Sequence, residues 1–182
     1  MYESVHVIDY ANVHGVDYAA LFLRFALGIP MLAHGYNHMF GGGKLEGTGR
    51  WFESLGMKPG WLHARFATYT ELAVAPLLFL GLLTPLACAG VIGVMLVALI
   101  TNHFKNGYFI FRPGEGYEYV LFITMTAFGL AALGGGKASL DNAFNLGGWM
   151  YGGKGLLLGL LGVVGAIGLL VVFWRPEKKP AE

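Results

Sequence analysis

The chain has 182 residues, of which 55% are hydrophobic and only 13% charged, where a soluble domain carries about 25% charged residues. A net charge of +1 without a basic block excludes an electrostatic nucleic-acid binder, and one cysteine excludes both a disulfide framework and a Cys-x-x-Cys pair. The composition is that of a one-domain membrane protein whose redox chemistry, if it has any, comes from a bound molecule.

The first seventeen residues, MYESVHVIDYANVHGVD, hold no Lys or Arg and lack the parts of a secretory signal. They are expected to form a mature N-terminal arm. A hydrocarbon core about 30 Å thick takes roughly 20 apolar residues per helix, and five segments meet that demand: 18–39, 64–83, 85–104, the shorter 118–133 and the wholly apolar 155–174. Lipid offers no partner to free backbone groups, so these are helices. The second and third are joined by little more than LTP and form a tight antiparallel hairpin.

Outside the spans, one side collects Lys44, Arg50, Lys58, Arg65, Lys105, Arg112, Arg175, Lys178 and Lys179, and the other only Lys137 and Lys154. The positive-inside bias then places the N-terminus outside and the tail, 175–182, in the cytoplasm. The 40–63 connection contains GRWFESLGM, which reads either as a short interfacial helix anchored by Trp51 and Trp61 or as a glycine-rich loop ending in a Pro59-Gly60 turn. The fifth span carries Gly155, Gly159, Gly162, Gly165 and Gly168 with Ala166. That spacing permits close helix approach, within the chain or against another subunit.

Ionisable groups inside spans are costly and mark either function or an internal partner. His34 and Glu71 both lie roughly 10 Å from the cytoplasmic end by helical rise, with His38, His103 and Glu118 nearer that surface. One level of a helix bundle thus receives three histidines and two carboxylates. His34 and His38 share a face at i and i+4, but the Glu-x-x-His pairs of di-iron bundles are missing, so no metal is assigned. A quinone fits this chemistry better: a flat ring with two oxygens that exchange protons, served by histidine, by a buried carboxylate and by walls from Tyr36, Tyr69, Tyr108, Tyr117 and Tyr119. The competing reading is structural, with His34, Glu71 and His103 pairing to fix the bundle register. Arg24, about 9 Å into the outer half of the first span, either snorkels to the outer headgroups, the less costly course, or turns inward to Glu71.

The stretches LRFALGIPMLAHGYNHMFGG, LEGTGRWFESLGMKPGW, ELAVAPLLFLGLLTPLA, LITNHFKNGYF with GYEYVL, and LGGGKASLDNAF occur in an order that resembles the DoxX family of integral membrane proteins over 18–144. Lys137-Ala138 stands where Arg-Tyr is common in that family, and the fifth span and long N-terminal arm are additions to it. The resemblance implies a four-helix transmembrane bundle, here with a fifth C-terminal helix, in a bacterial cytoplasmic membrane. It also implies membrane redox processes, since relatives include the small subunit of thiosulfate:quinone oxidoreductase. Its motif positions fall here on Arg24, His34, Glu71, His103, Glu118 and Asp141. The expectation is a quinone or quinol site in which His34 and Glu71 face the ligand and His103 and Glu118 relay protons. Tyr36, His38, Tyr69, Tyr108, Tyr117 and Arg24 would contribute to binding. The alternative is an accessory subunit that uses the fifth helix and N-terminal arm to hold a larger membrane complex together.

Overall fold

The computed structural model describes residues 10–176, with side chains from Gly15 onward. The far ends of the expected arm and tail lie outside these residues. The described part is all helix, without β-strands: α1 (Tyr10–Phe40), α2 (Lys44–Ser54), α3 (Gly60–Leu80), α4 (Thr84–Ala98), α5 (Glu118–Leu133), the short α6 (Leu140–Ala143) and α7 (Gly147–Met150), and α8 (Gly153–Phe173). Part of the expected arm is therefore helical and extends α1. A π-turn, Leu99–His103, and one 3₁₀ turn, Phe104–Asn106, continue α4.

This is an all-α membrane protein. Among the described residues, three helical stretches are long and apolar enough to cross a bilayer: 15–40, 84–106 and 153–173. Helix α3 has 21 residues, about 31 Å by helical rise, but its polar residues, among them His63, Arg65 and Glu71, dilute its apolar character. Helix α5 has 16 residues and is about 24 Å long. Both pack inside the same bundle, α3 between α1 and α4 and α5 between α4 and α8. Connections alternate between two ends. One end holds α2, the start of α3 and the close of α8; the other holds the α3–α4 turn, α6 and α7.

The GRWFESLGM stretch is helical as far as Ser54, and α2 begins five residues before it. Gly49 and Phe52 are buried on its inner side and Trp51 is half-exposed. Arg65 stacks over the neighbouring Trp61, 5.3 Å from the ring centroid. The Glu53 carboxylate accepts from the Gly60 backbone N–H and so caps α3. The α2–α3 loop is tied to the far end of the chain: Lys58 N donates to Phe173 O at 3.1 Å, Arg175 N to Gly56 O at 2.7 Å, and the Trp174 indole to Leu55 O at 3.0 Å.

Helix α8 is held mainly by α4. A Cβ at Gly162 would lie 2.2 Å from the Ala89 carbonyl oxygen, and at Gly155 1.9 Å from that of Ala131, so both glycines exist for backbone contact within this chain. Gly165 and Gly168 face open space. The glycine pattern of the fifth span is thus largely spent inside the protein, while Leu157, Val164 and Val171 present an apolar surface outward. Gly162→Val should cost about 2 kcal/mol or more through backbone displacement, whereas Gly168→Val should stay within about 0.5 kcal/mol. Thermal unfolding of the two variants in mild detergent checks the difference.

Candidate functional site

The polar residues of the bundle separate into two groups, one at each end. At the α3–α4 turn, Arg24 is wholly buried. One terminal nitrogen donates to Phe79 O at 3.3 Å and Leu78 O at 3.5 Å, and the other donates to Ala138 O. It neither snorkels nor reaches Glu71, which corrects both expectations. The free carbonyls at the α3 terminus bind it more cheaply than a carboxylate several turns away. Asp141, also fully buried, accepts from Leu83 N at 2.6 Å and Thr84 N at 2.9 Å, while its own N–H donates to Gly81 O at 2.9 Å. Leu83 holds a left-handed φ of 50° and Gly81 one of 64°, and Asp141 supports that bend. Ser139 caps α6 through Asn142 N at 3.1 Å. Beside this cluster, burial raises the Tyr151 hydroxyl above its ordinary pKa. These contacts are structural.

The other end encloses a cavity of about 500 Å³ walled by α1, α2, α3, α4, α5 and α8. Its polar lining includes His34, His38, His63, Glu71, His103 and Tyr119. Phe52, Met57, Val94, Met95, Ala166 and Leu169 supply much of the apolar wall. Phe66 on α3 and Leu161 on α8 flank it, and each is about half-exposed on the outer surface.

Glu71, 2% exposed, comes within 3.0 Å of His38 Nδ1. Neither atom makes an aligned hydrogen bond, although both are buried. His38, rather than His34, is therefore the imidazole that meets Glu71. His34 sits exposed at the edge, its ring 6.4 Å from that of His38. His103 is brought to the cavity by the π-turn, a distortion often found at functional sites. Its Nδ1 lies 3.0 Å from the Glu115 carbonyl and its Nε2 3.0 Å from the Tyr119 hydroxyl. A carbonyl only accepts, so in the neutral ring Nδ1 carries the hydrogen and Nε2 accepts from Tyr119.

The remaining expected site residues lie elsewhere. Glu118 accepts from Ile110 N at 3.1 Å and closes the hairpin before α5, so it does not line the cavity. Tyr36, Tyr69 and Tyr108 are exposed on the outer surface. Tyr117 stacks on Phe104, 5.5 Å between centroids. None of the four tyrosines reaches the cavity, and neither does Arg24. Helical phase turns Tyr36 and Tyr69 outward, Tyr108 and Tyr117 belong to the hairpin before α5, and Arg24 lies at the opposite end of the bundle.

His63 was missed. It is 3% exposed, its ring lies 5.0 Å from Phe173 and 6.5 Å from Phe52, and its Nε2 is buried without a partner. A helix started at Ala64 leaves this residue in the loop, whereas α3 begins at Gly60. No group of three or more His, Cys, Asp or Glu among the described residues is arranged to hold a metal ion.

The DoxX family model matches residues 19–104. Over that segment, a little under half of the chain, the sequence is similar to the DoxX family. The match includes Arg24, His34, His38, His63, Glu71 and His103 and ends before Glu118 and Asp141. Comparisons with curated proteins and with solved structures returned no match.

The His103 arrangement predicts a nitrogen NMR spectrum, at mildly alkaline pH, with a protonated Nδ1 and a bare Nε2. Tyr119→Phe should move the Nε2 resonance and leave Nδ1 protonated. The opposite tautomer in the unaltered protein would refute the assignment.

Proposed function

We propose that this DoxX-like membrane protein binds a quinone or quinol in the cavity at the α2 end and exchanges protons with it. The observation that carries this reading is Glu71, a carboxylate buried at 2% exposure beside His38 yet without an aligned hydrogen bond, facing a largely apolar cavity of about 500 Å³. A buried polar group normally finds its partners, and one left without them at a cavity wall is suited to a ligand oxygen. The family's association with redox- and quinone-related membrane systems supports the same class of ligand.

The residues present fit such a group. The apolar walls suit a ring and the start of a prenyl tail, and the flanks at Phe66 and Leu161 suit entry from lipid. A bound quinone would supply two-electron, two-proton carrier chemistry. Glu71 and His38 hold and exchange a proton at one ligand oxygen, while Phe52 and Met57 exclude water from below. His103 and Tyr119 form a second hydrogen-bonded pair that leads from the cavity to the Glu115 carbonyl. The α2 end carries the excess of Lys and Arg, and we assign it to the cytoplasmic side of a bacterial inner membrane.

The accessory-subunit reading would use the lipid-facing side of α8, where Gly168 is open and Val164 and Val171 are exposed. The cavity favours a ligand-binding role even if the protein works within a complex. Purification in mild detergent followed by solvent extraction should recover quinone close to one per chain. His38→Ala combined with Glu71→Gln should reduce that recovery about tenfold, the equivalent of 1.4 kcal/mol. Equal recovery from the folded double variant would sink the proposal.

A further inference from the structure

We propose that the cavity selects the reduced form of its ligand, a para-dihydroxy aromatic ring, over the oxidised dicarbonyl form, and that His63 is a principal source of that selectivity. This rests on the reading of the cavity as a quinone or quinol site.

Three buried polar atoms at the cavity lack aligned partners, His63 Nε2, Glu71 Oε2 and His38 Nδ1, the last two 3.0 Å from each other. The Lys58 backbone carbonyl interacts with the His63 ring. Nε2 has no hydrogen-bond partner, so that interaction falls to Nδ1. The carbonyl accepts and Nδ1 donates, which leaves Nε2 as an acceptor in the neutral ring. An ionised Glu71 is likewise an acceptor only. His63 Nε2 therefore wants a donor, and the Glu71 carboxylate accepts a ligand hydroxyl beside its contact with His38.

Their placement matches a ligand with a hydroxyl at each end. His63 and Glu71 are eight residues apart on α3, about 12 Å by helical rise and roughly 80° around the axis. A six-membered ring with para hydroxyls, extended by a hydrogen bond of about 2.7 Å at each end, spans a comparable length. The reduced ring brings two O–H donors to these acceptors, whereas the oxidised ring brings only carbonyl oxygens.

Several donors along the wall are already committed. The Tyr119 hydroxyl serves His103 Nε2, the Asn102 amide stands 3.3 Å from that same nitrogen, and Thr101 donates to Val97 O at 2.8 Å. His38 Nδ1 faces Glu71. The titratable groups His34 and Glu115 are both exposed at the edge of the cavity. The buried surface thus offers acceptors for hydroxyls and few free donors for carbonyls, and a site made that way rejects an analogue lacking the hydroxyl.

The test is anaerobic calorimetric titration of the full chain, in detergent, with a short-tailed benzoquinone and separately with its reduced form. The reduced form should bind about tenfold or more tightly. His63→Phe keeps a ring between Phe52 and Phe173 and should bring the two affinities within about threefold of each other. Glu71→Gln, which places an amide donor in the cavity, should shift preference toward the oxidised form and serves as the second variant if His63→Phe does not fold. Equal binding of both forms, or tighter binding of the oxidised form, overturns the selectivity and leaves the cavity a quinone site. Binding of neither form overturns the site itself, and the selectivity with it.

Discussion

The architecture depends on how the α3–α4 turn finds hydrogen-bond partners where lipid provides none. A helix end exposes unpaired carbonyls or N–H groups, and in hydrocarbon these must be met from within. Arg24 meets the carbonyls that close α3, and Asp141 meets the N–H groups that open α4. The segment carrying Ala138 and Asp141 is thereby drawn under the turn. With α3 and α4 so held, His63 and Glu71 of α3 and Gly90, Gly93 and Val94 of α4 line one cavity.

The two polar ends differ in satisfaction, and that difference separates structure from function. Arg24 and Asp141 spend their hydrogen bonds on named backbone groups close at hand. Glu71 and His63 are also buried and His38 is partly so, yet each keeps an atom without an aligned partner. Folding alone does not favour such an arrangement, because an unsatisfied buried group costs about 1–3 kcal/mol. The cost is understandable where a ligand supplies the missing contact. Helix α8 belongs to this account, since Gly162 and Ala166 line the cavity while Trp174 fastens the helix end to the α2–α3 loop. The fifth helix is part of the enclosure as well as an addition to the bundle.

Much of the fold was legible in the sequence because hydrophobic length and depth are properties of the chain alone. Apolar length alone puts a fourth span at 118–133, the same bounds as α5, and a fifth at 155–174 against 153–173 for α8. Depth also brought His38, Glu71 and His103 to one level. Rotation about each helix was not legible, because packing decides it. Tyr36 and Tyr69 share the right level and point outward. The π-turn before His103 shifts the phase of its helix, which no regular period anticipates. The partners of Arg24 are hidden for a related reason: they are backbone carbonyls, which carry no sequence signature. His63 fell outside the span because a start at Ala64 cut off the first turn of α3.

Two buried carboxylates offer the most direct test of this division. Asp141 is 0% exposed and Glu71 2%, so burial does not distinguish them. Unfolding of ligand-free Asp141→Leu and Glu71→Leu in the same detergent compares their contributions to stability. Asp141→Leu should lose about 3 kcal/mol, because two backbone N–H groups lose a charged acceptor. Glu71→Leu should stay within about 1 kcal/mol of the unaltered protein, since it orphans no backbone group and removes an unsatisfied one. An equal loss from both would contradict the account and make Glu71 a structural residue like Asp141.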